Sequence, residues 1–407
     1  MKGFEWKNSI VTHMHIELSN LCNATCPFCP RSYSTTPITR PDLQLDQICL
    51  EQFKEWFPPE FMQEMRRILF CGTHGDPATA KDLHKICEYI IETGPRCEIM
   101  IHTNGGLRST EFWKNLGELF VSAERQHYVA FSIDGLEDTN HLYRRNVKWT
   151  KLIENVQAYT DTGANAHWEY LIFKHNENQI KEAEKLSKKL NFKKFWKKRA
   201  LGFEAPGGGV VPREIYDREG KLEYVLEAPS DENLINTQNL SKQKVELKNS
   251  VNIKHLEKWS PGYSPHVEEK LKNFKDDIIP TYNTYVKDHD QYEIKCKSCK
   301  SDIGDLSEIY VSCNGIVFPC CFVGTRVDSD IDLYEDTQLR YKIRQFGADK
   351  FDLKQNKIKD IIQKGYLDEI YTESWSKPSI EQGKLSYCAM TCGEQSQVDK
   401  IYEGLND

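Results

Sequence analysis

The chain has 407 residues, enough for an α/β barrel with a smaller second module. Its net charge of −7 leaves no global basic footprint for nucleic acid. The opening Met1-Lys2-Gly3-Phe4-Glu5-Trp6 holds no apolar signal segment and no run reaches membrane-spanning length, so a cytoplasmic protein without a membrane partner is expected. Fourteen cysteines are many for a reducing compartment, where structural disulfides are rare. Three lie at 22–29 and seven between 296 and 392, which reads as two metal sites. The scattered Cys49, Cys71, Cys87 and Cys97 are expected to be buried, inert thiols.

The first predicted strand, over 11–18, alternates. Met14, Ile16 and Leu18 share one face, and His13, His15 and Glu17 the other. Surrounding helices take the apolar face, so the polar face should line a barrel. Directly afterwards comes Cys22-Asn23-Ala24-Thr25-Cys26-Pro27-Phe28-Cys29, and the C-x3-C-x2-C spacing lets three thiolates converge within one tight loop. An iron–sulfur cube has four irons, and full protein ligation uses four cysteines. Three close cysteines without a nearby fourth therefore suggest one iron open to an exogenous ligand. The alternative is a zinc loop completed by His13 or His15, although zinc sites usually pair C-x2-C with a distant second pair.

Further strands are predicted over 67–71, 97–103, 128–133 and 166–173, with a weaker one over 192–200. Between them, 81–91 puts Leu83, Ile86, Cys87, Ile90 and Ile91 on one helical face before the Gly94-Pro95 stop. Asn176 is expected to cap a helix carrying Ile180, Ala183, Leu186 and Leu190. Alternation at about thirty-residue intervals implies parallel βαβ units. Six such units make a partial (β/α)6 barrel, where reactive groups cluster at the carboxyl ends of the strands. By the same alternation His102 and Ser132, with His167 and Glu169, should point inward. Such a lining fits a hydrophilic substrate, with hydrogen-bonded core histidines as the alternative.

The strand ends carry a resemblance. The cysteine spacing, with the aromatic Phe28 before the third cysteine, resembles the radical S-adenosylmethionine (SAM) superfamily. Gly72-Thr73-His74-Gly75-Asp76-Pro77 is similar to the family's G-G-E-P segment, with His74 and Asp76 departing from it. Thr103-Asn104-Gly105 resembles its T-N-G, Ser132-Ile133-Asp134-Gly135 its S-x-D-G, and Arg144 falls where relatives place an arginine for the SAM carboxylate. The resemblance implies a [4Fe-4S] cluster on Cys22, Cys26 and Cys29 whose open iron chelates SAM. One electron then yields a 5′-deoxyadenosyl radical, which abstracts hydrogen from substrate. Cofactor contacts are implied for Phe28, Gly75, Asp76, Thr103, Asn104, Ser132, Asp134 and Arg144, and an electron donor such as flavodoxin or ferredoxin as partner.

Residues 203–293 read as a linker or insertion, polar and rich in Asn and Lys, after the loop Ala205-Pro206-Gly207-Gly208-Gly209. Just before it, the basic patch around Trp196 reads as a solvated strand end. A hairpin with Asn314-Gly315 at its turn is expected within 309–320. It belongs to the second cysteine group: Cys296, Cys299, Cys313, Cys320, Cys321, Cys388 and Cys392. This region resembles the opening of a SPASM domain in its shortened twitch form, which implies an auxiliary [4Fe-4S] cluster. Proposed ligands are Cys299, Cys320, Cys388 and Cys392, with Cys296, Cys313 and Cys321 as competitors and structural zinc as the alternative.

The expectation is therefore an α/β protein: a radical SAM partial barrel over 1–202, the linker, and a small β-hairpin/helix iron–sulfur module over 294–407. Modification of a peptide or protein side chain is favoured as the reaction. Radical oxidation or rearrangement of a small polar metabolite competes with it, and a non-catalytic cluster-binding protein is the third reading. No peptide-recognition winged helix is legible before the first strand, which weakens the peptide reading.

Overall fold

A computed structural model describes residues 4–32, 35–40, 43–203, 210–235, 293–296, 306–327, 343, 346–379 and 382–393. Six parallel strands pair in chain order: β1 (Ile10–Ile16), β2 (Arg67–Cys71), β3 (Glu98–Thr103), β4 (Tyr128–Ser132), β5 (Asn165–Ile172) and β6 (Lys194–Arg199). Helices α1 (Leu50–Trp56), α2 (Leu83–Thr93), α3 (Thr110–Ser122), α4 (Trp149–Thr160) and α5 (Ile180–Lys189) fall between them, the arrangement expected of a partial (β/α)6 barrel.

The period-2 pattern explains the layering. Met14, Ile16, Ile68, Phe70, Ile99, Ile101, Val129, Phe131, Ala166 and Trp168 are all buried on the helix-facing side. Each large apolar side chain buried this way contributes about 1.5–3 kcal/mol. Helix α2 places Leu83, Ile86, Cys87 and Ile90 in the core and ends at Gly94, as its spacing implies. Ser109 caps α3 by accepting from the Phe112 amide.

Asn176 does something other than capping. Its side chain accepts from Phe173 N and donates to the carbonyls of Asp134 and Leu171, and it caps no helix. The reason is local. Ile172 ends β5, and Asn176 satisfies backbone groups that the sheet leaves unpaired there. Cys87 and Cys97 are buried as expected, whereas Cys49 and Cys71 are half-buried. Cys49 sits at the α1 N-terminus in a capping box with Gln52.

The stretch after β6 contains a second sheet among its described residues, the hairpin of β7 (Arg213–Tyr216) and β8 (Leu222–Leu226). It is tied down near the cysteine loop. Thr35 Oγ1 donates to the Glu214 carbonyl at 2.6 Å, Arg145 Nη1 donates to the Tyr216 carbonyl at 3.1 Å, and the Tyr224 hydroxyl donates to the Leu142 carbonyl.

Farther along, strand β9 (Leu306–Val311) runs parallel to β1 on its other side, and β10 (Val317–Phe318) turns back antiparallel to β9. The Asn314-Gly315 turn connects them, with Gly315 at φ +87°. One sheet therefore runs β10-β9-β1-β2-β3-β4-β5-β6. Helix α6 (Cys321–Val327) follows β10, and α7 (Ser386–Cys392) is the last helix among the described residues.

Candidate active site

The chain leaving β1 carries the three cysteines, and the ends of β2, β3 and β4 converge on it. Within the loop, Cys29 N donates to the Cys26 carbonyl at 3.1 Å, and the Ser32 hydroxyl donates to that same carbonyl at 3.2 Å. Burial pushes the Cys29 thiol up to about 12, with a further push from Cys26. Burial also raises Cys22, assisted by Asp76 and by the other two thiols. Cys26 is buried and raised chiefly by burial, and Cys22 and Cys29 are half-buried; thiols held up in this way suit a cationic metal group, which stabilises thiolates. Donors also reach them: Asn104 Nδ2 stands 3.7 Å from Cys22 Sγ, Arg144 Nη1 3.7 Å from Cys26 Sγ, and Ala24 N 3.3 Å from Cys22 Sγ.

The segment after β2 is pinned from several directions. A Cβ at Gly75 would lie 1.9 Å from the Ser19 carbonyl oxygen, so only glycine permits this approach to the chain leaving β1. Asp76 N donates to the Leu21 carbonyl at 2.8 Å. The Asp76 carboxylate itself is filled by protein donors. Ala78 N and Thr103 Oγ1 donate to Oδ1, and Asn104 N and Nδ2 to Oδ2, at 2.7–2.9 Å. Asp76 thus ties the cysteine loop, β2 and β3 together, with Thr103 and Asn104 as its partners. Asn104 Nδ2 reaches Asn23 Oδ1 as well, at 2.9 Å.

After β4, Asp134 is fully buried and accepts from Arg144 Nε at 2.6 Å and from Leu171 N at 2.7 Å. Burial alone would lower the Arg144 guanidinium, but Asp134 and Cys26 outweigh it and hold the group charged. Asp134 therefore aims Arg144 at the cysteine loop. Phe28 packs edge-on against Phe203 with centroids 5.1 Å apart, and against Tyr143 at 6.0 Å. Ser132 is half-buried at the β4 end.

A charged cluster joins β3, β5 and β6. Glu169 on β5 pairs with Lys198 Nζ on β6 at 2.7 Å and with His102 Nδ1 on β3 at 3.5 Å. The His102 contact crosses β4 where Ala130 is the paired residue, small enough to leave the path clear. Burial would raise Glu169, but His102 and Lys198 overcome it and pull its pKa far below the usual carboxylate range. His167, packed at a tilt with ring centroids 4.1 Å from Tyr128 and 4.6 Å from Trp196, is lowered to about 4 by burial and then by Lys194, so it is neutral near pH 7. His15, Glu17, His167 and Glu169 are buried and His13 and His102 half-buried, consistent with the polar face read from β1, β3 and β5.

Residues 16–187 match the family model described as the radical SAM superfamily. The match runs from the end of β1 into α5, less than half of the chain. No curated protein sequence matches the chain. Among solved structures, Streptococcus suis SuiB bound to S-adenosylmethionine is 14% identical, covering 93% of this chain and 77% of that one at a TM-score of 0.46. Native anSMEcpe with bound AdoMet is 13% identical, covering 92% and 88% at a TM-score of 0.46. BtrN in complex with AdoMet and 2-DOIA is 24% identical over 30% of this chain and 45% of that one, at a TM-score of 0.24. Likenesses of this size carry no argument about substrate.

Beyond the matched segment, the second cysteine group is partly assembled. Cys296, Cys320, Cys388 and Cys392 line one apolar cavity together with Phe322 and Trp375. Lys295 N donates to the Cys392 carbonyl at 2.7 Å, which fastens the 293–296 segment beside α7. Cys313 is buried elsewhere and is absent from that lining, as is Cys321. Cys299 lies outside the described residues. Among the described residues no three His, Cys, Asp or Glu side chains close up as a cage for one ion. The ligands of an iron–sulfur cube each bind a different iron and stand farther apart than that. No helix among the described residues is long and apolar enough to cross a membrane.

Two features of the site were missed in the residues alone. Glu17 is a hub for the loop after β2, and Tyr310 comes from a strand almost three hundred residues away to meet it. Alternation flags Glu17 as inward-facing. No sequence signal connects Tyr310 to it.

Proposed function

We propose that this chain is a radical SAM enzyme that reductively cleaves S-adenosylmethionine and abstracts a hydrogen atom from substrate, acting on a peptide or protein side chain. The observation that carries this reading is the convergence of the β2, β3 and β4 ends on the three-cysteine loop, with Asn104 and Arg144 each 3.7 Å from a cysteine sulfur. Cys22, Cys26 and Cys29 would hold a [4Fe-4S] cluster with one open iron, and that cluster supplies the electron that breaks the SAM sulfonium bond.

The chain's own residues bind, orient and exclude. The backbone around Gly75 takes the SAM amino group, Arg144 meets its carboxylate as a charge-assisted donor, and Ser132 contacts the nucleoside side. Asp76, Thr103 and Asp134 act one step back, fixing Asn104 and Arg144. Phe28 and Phe203 shield the cysteine loop from water. Cys320, Cys388 and Cys392 would hold an auxiliary cluster, and the cavity favours Cys296 as the fourth ligand in the place given to Cys299. Structural zinc is the alternative for this site. A flavodoxin- or ferredoxin-type protein supplies the electron.

A small polar metabolite is the second reading, and the Glu169–Lys198–His102 cluster favours it, because charged groups inside a barrel suit a hydrophilic ligand. The test is iron and sulfide content after anaerobic reconstitution, with dithionite-driven 5′-deoxyadenosine formation. Wild type and a Cys22→Ala/Cys26→Ala/Cys29→Ala variant are compared. About eight irons falling to about four, with cleavage lost, is expected. A fully loaded wild type that leaves SAM intact sinks the enzyme reading. Turnover of a peptide library against a polyol panel separates the two substrate classes.

A further inference from the structure

The loop after β2 is held by a carboxylate that belongs to the chain leaving β1 and by a phenol that belongs to β9. His74 N and Gly75 N both donate to Glu17 Oε1, at 2.6 and 3.0 Å. The Tyr310 hydroxyl donates to Glu17 Oε2 at 2.8 Å, and Thr73 Oγ1 donates to the Tyr310 oxygen at 3.2 Å. Three consecutive loop residues are thereby fastened to one buried pair.

The consequence follows from peptide geometry. In a trans peptide the N–H and the C=O point in opposite directions. Drawing the amides of His74 and Gly75 onto Glu17 turns the carbonyls of Thr73 and His74 away from it. Neither carbonyl accepts a hydrogen bond from the described residues, whereas both amides are satisfied. Two aligned, unused carbonyls are acceptors for an ammonium group. Tyr310 is itself tightly seated. A Cβ at Gly324 would lie 2.3 Å from its ring, and His15 packs edge-on at 5.0 Å. Gly324 lies in α6, which begins directly after Cys320.

We infer that Glu17 and Tyr310 are positioning residues for S-adenosylmethionine, which present the Thr73 and His74 carbonyls to its amino group and make the C-terminal region a determinant of SAM affinity. The inference rests on the SAM reading of this site. It puts the shape of the binding loop under the control of a strand outside the matched segment.

The test is equilibrium dialysis of labelled S-adenosylmethionine against anaerobically reconstituted full-length protein. Wild type, Glu17→Gln, Glu17→Ala and Tyr310→Phe are compared at matched iron content, with melting temperatures recorded. Glu17→Ala should raise Kd about tenfold or more, since two charge-assisted bonds are lost. Tyr310→Phe should raise it about threefold with little change in melting temperature. Glu17→Gln keeps an oxygen for both amides, so it should stay within about threefold of wild type. A purely structural role for Glu17 predicts no such rescue of affinity. Wild-type affinity in Tyr310→Phe and Glu17→Ala overturns the inference while leaving the SAM reading intact. If Glu17→Ala fails to fold, Tyr310→Phe alone decides, and an unchanged Kd there overturns the inference. Absence of SAM binding by wild type overturns both.

Discussion

The two cysteine groups differ in how they are built and in what surrounds them. The first lies in one loop of eight residues and is met by polar donors, Asn104 and Arg144, delivered by strand ends. The second is drawn from three separate segments of the chain, around 296, 320 and 388–392, and closes on Phe322 and Trp375 in an apolar cavity. A polar surround stabilises a charged, exchangeable ligand beside the metal, while an apolar one favours a group held permanently by the protein. Under the proposed function, the first group would be the site of turnover and the second would hold its metal permanently.

The largest test of that contrast is the complement of the triple-cysteine variant. Cys320→Ala/Cys392→Ala should lose about half of the reconstituted iron yet keep SAM cleavage driven by dithionite. Loss of cleavage in that variant, at an intact first site, would break the division of labour. Zinc in place of iron at the second site would sharpen it toward a purely structural role.

The polar surround of the first site depends on a buried ion pair. Arg144→Leu leaves Asp134 buried without its charged partner, which should cost about 3–5 kcal/mol in urea unfolding. The same substitution should weaken SAM binding. A stability change below about 1 kcal/mol would mean that Leu171 N and the surrounding backbone are sufficient for Asp134.

The smallest expected effect is a pH dependence inside the barrel. Burial lowers His15 to about 4, and its Nε2 lies 2.6 Å from the Cys71 carbonyl oxygen. A histidine with a lowered folded pKa contributes stability that is complete above the unfolded value near 6.5. That contribution is lost as pH falls from there toward 4, because the unfolded chain takes up the proton first. The drop across this window should reach about 3 kcal/mol at most, and His15→Gln should flatten it. An unaltered pH profile in His15→Gln would locate the sensitivity in the other histidines that burial lowers to about 4, His127, His167 and His175.

Much of the barrel was legible because its signals are local. All six parallel strands overlap the apolar β-prone runs, including the weak sixth, Lys194–Arg199. The cysteine loop and the three strand ends could be read as one site because each is a short motif and because parallel βα units bring strand ends to one side. Other placements were not legible. The β7–β8 hairpin sits in a polar stretch whose only cue is brief alternation around the Gly220 turn, and its anchors on Arg145 and Leu142 come from elsewhere in the chain. Lys198 looked like part of a solvated basic patch, yet it turns inward to Glu169.

The sequence by itself determined the strand–helix alternation, the inward polar face of β1 and the three-thiol loop, since side-chain period and cysteine spacing are properties of neighbouring residues. Only the tertiary structure decided that β9 lies beside β1, that Cys296 shares a cavity with Cys320, Cys388 and Cys392, and that Tyr310 meets Glu17. Those are pairings between residues up to about three hundred positions apart. They are selected by which buried polar groups and apolar faces can be satisfied at once, and no local pattern records that choice.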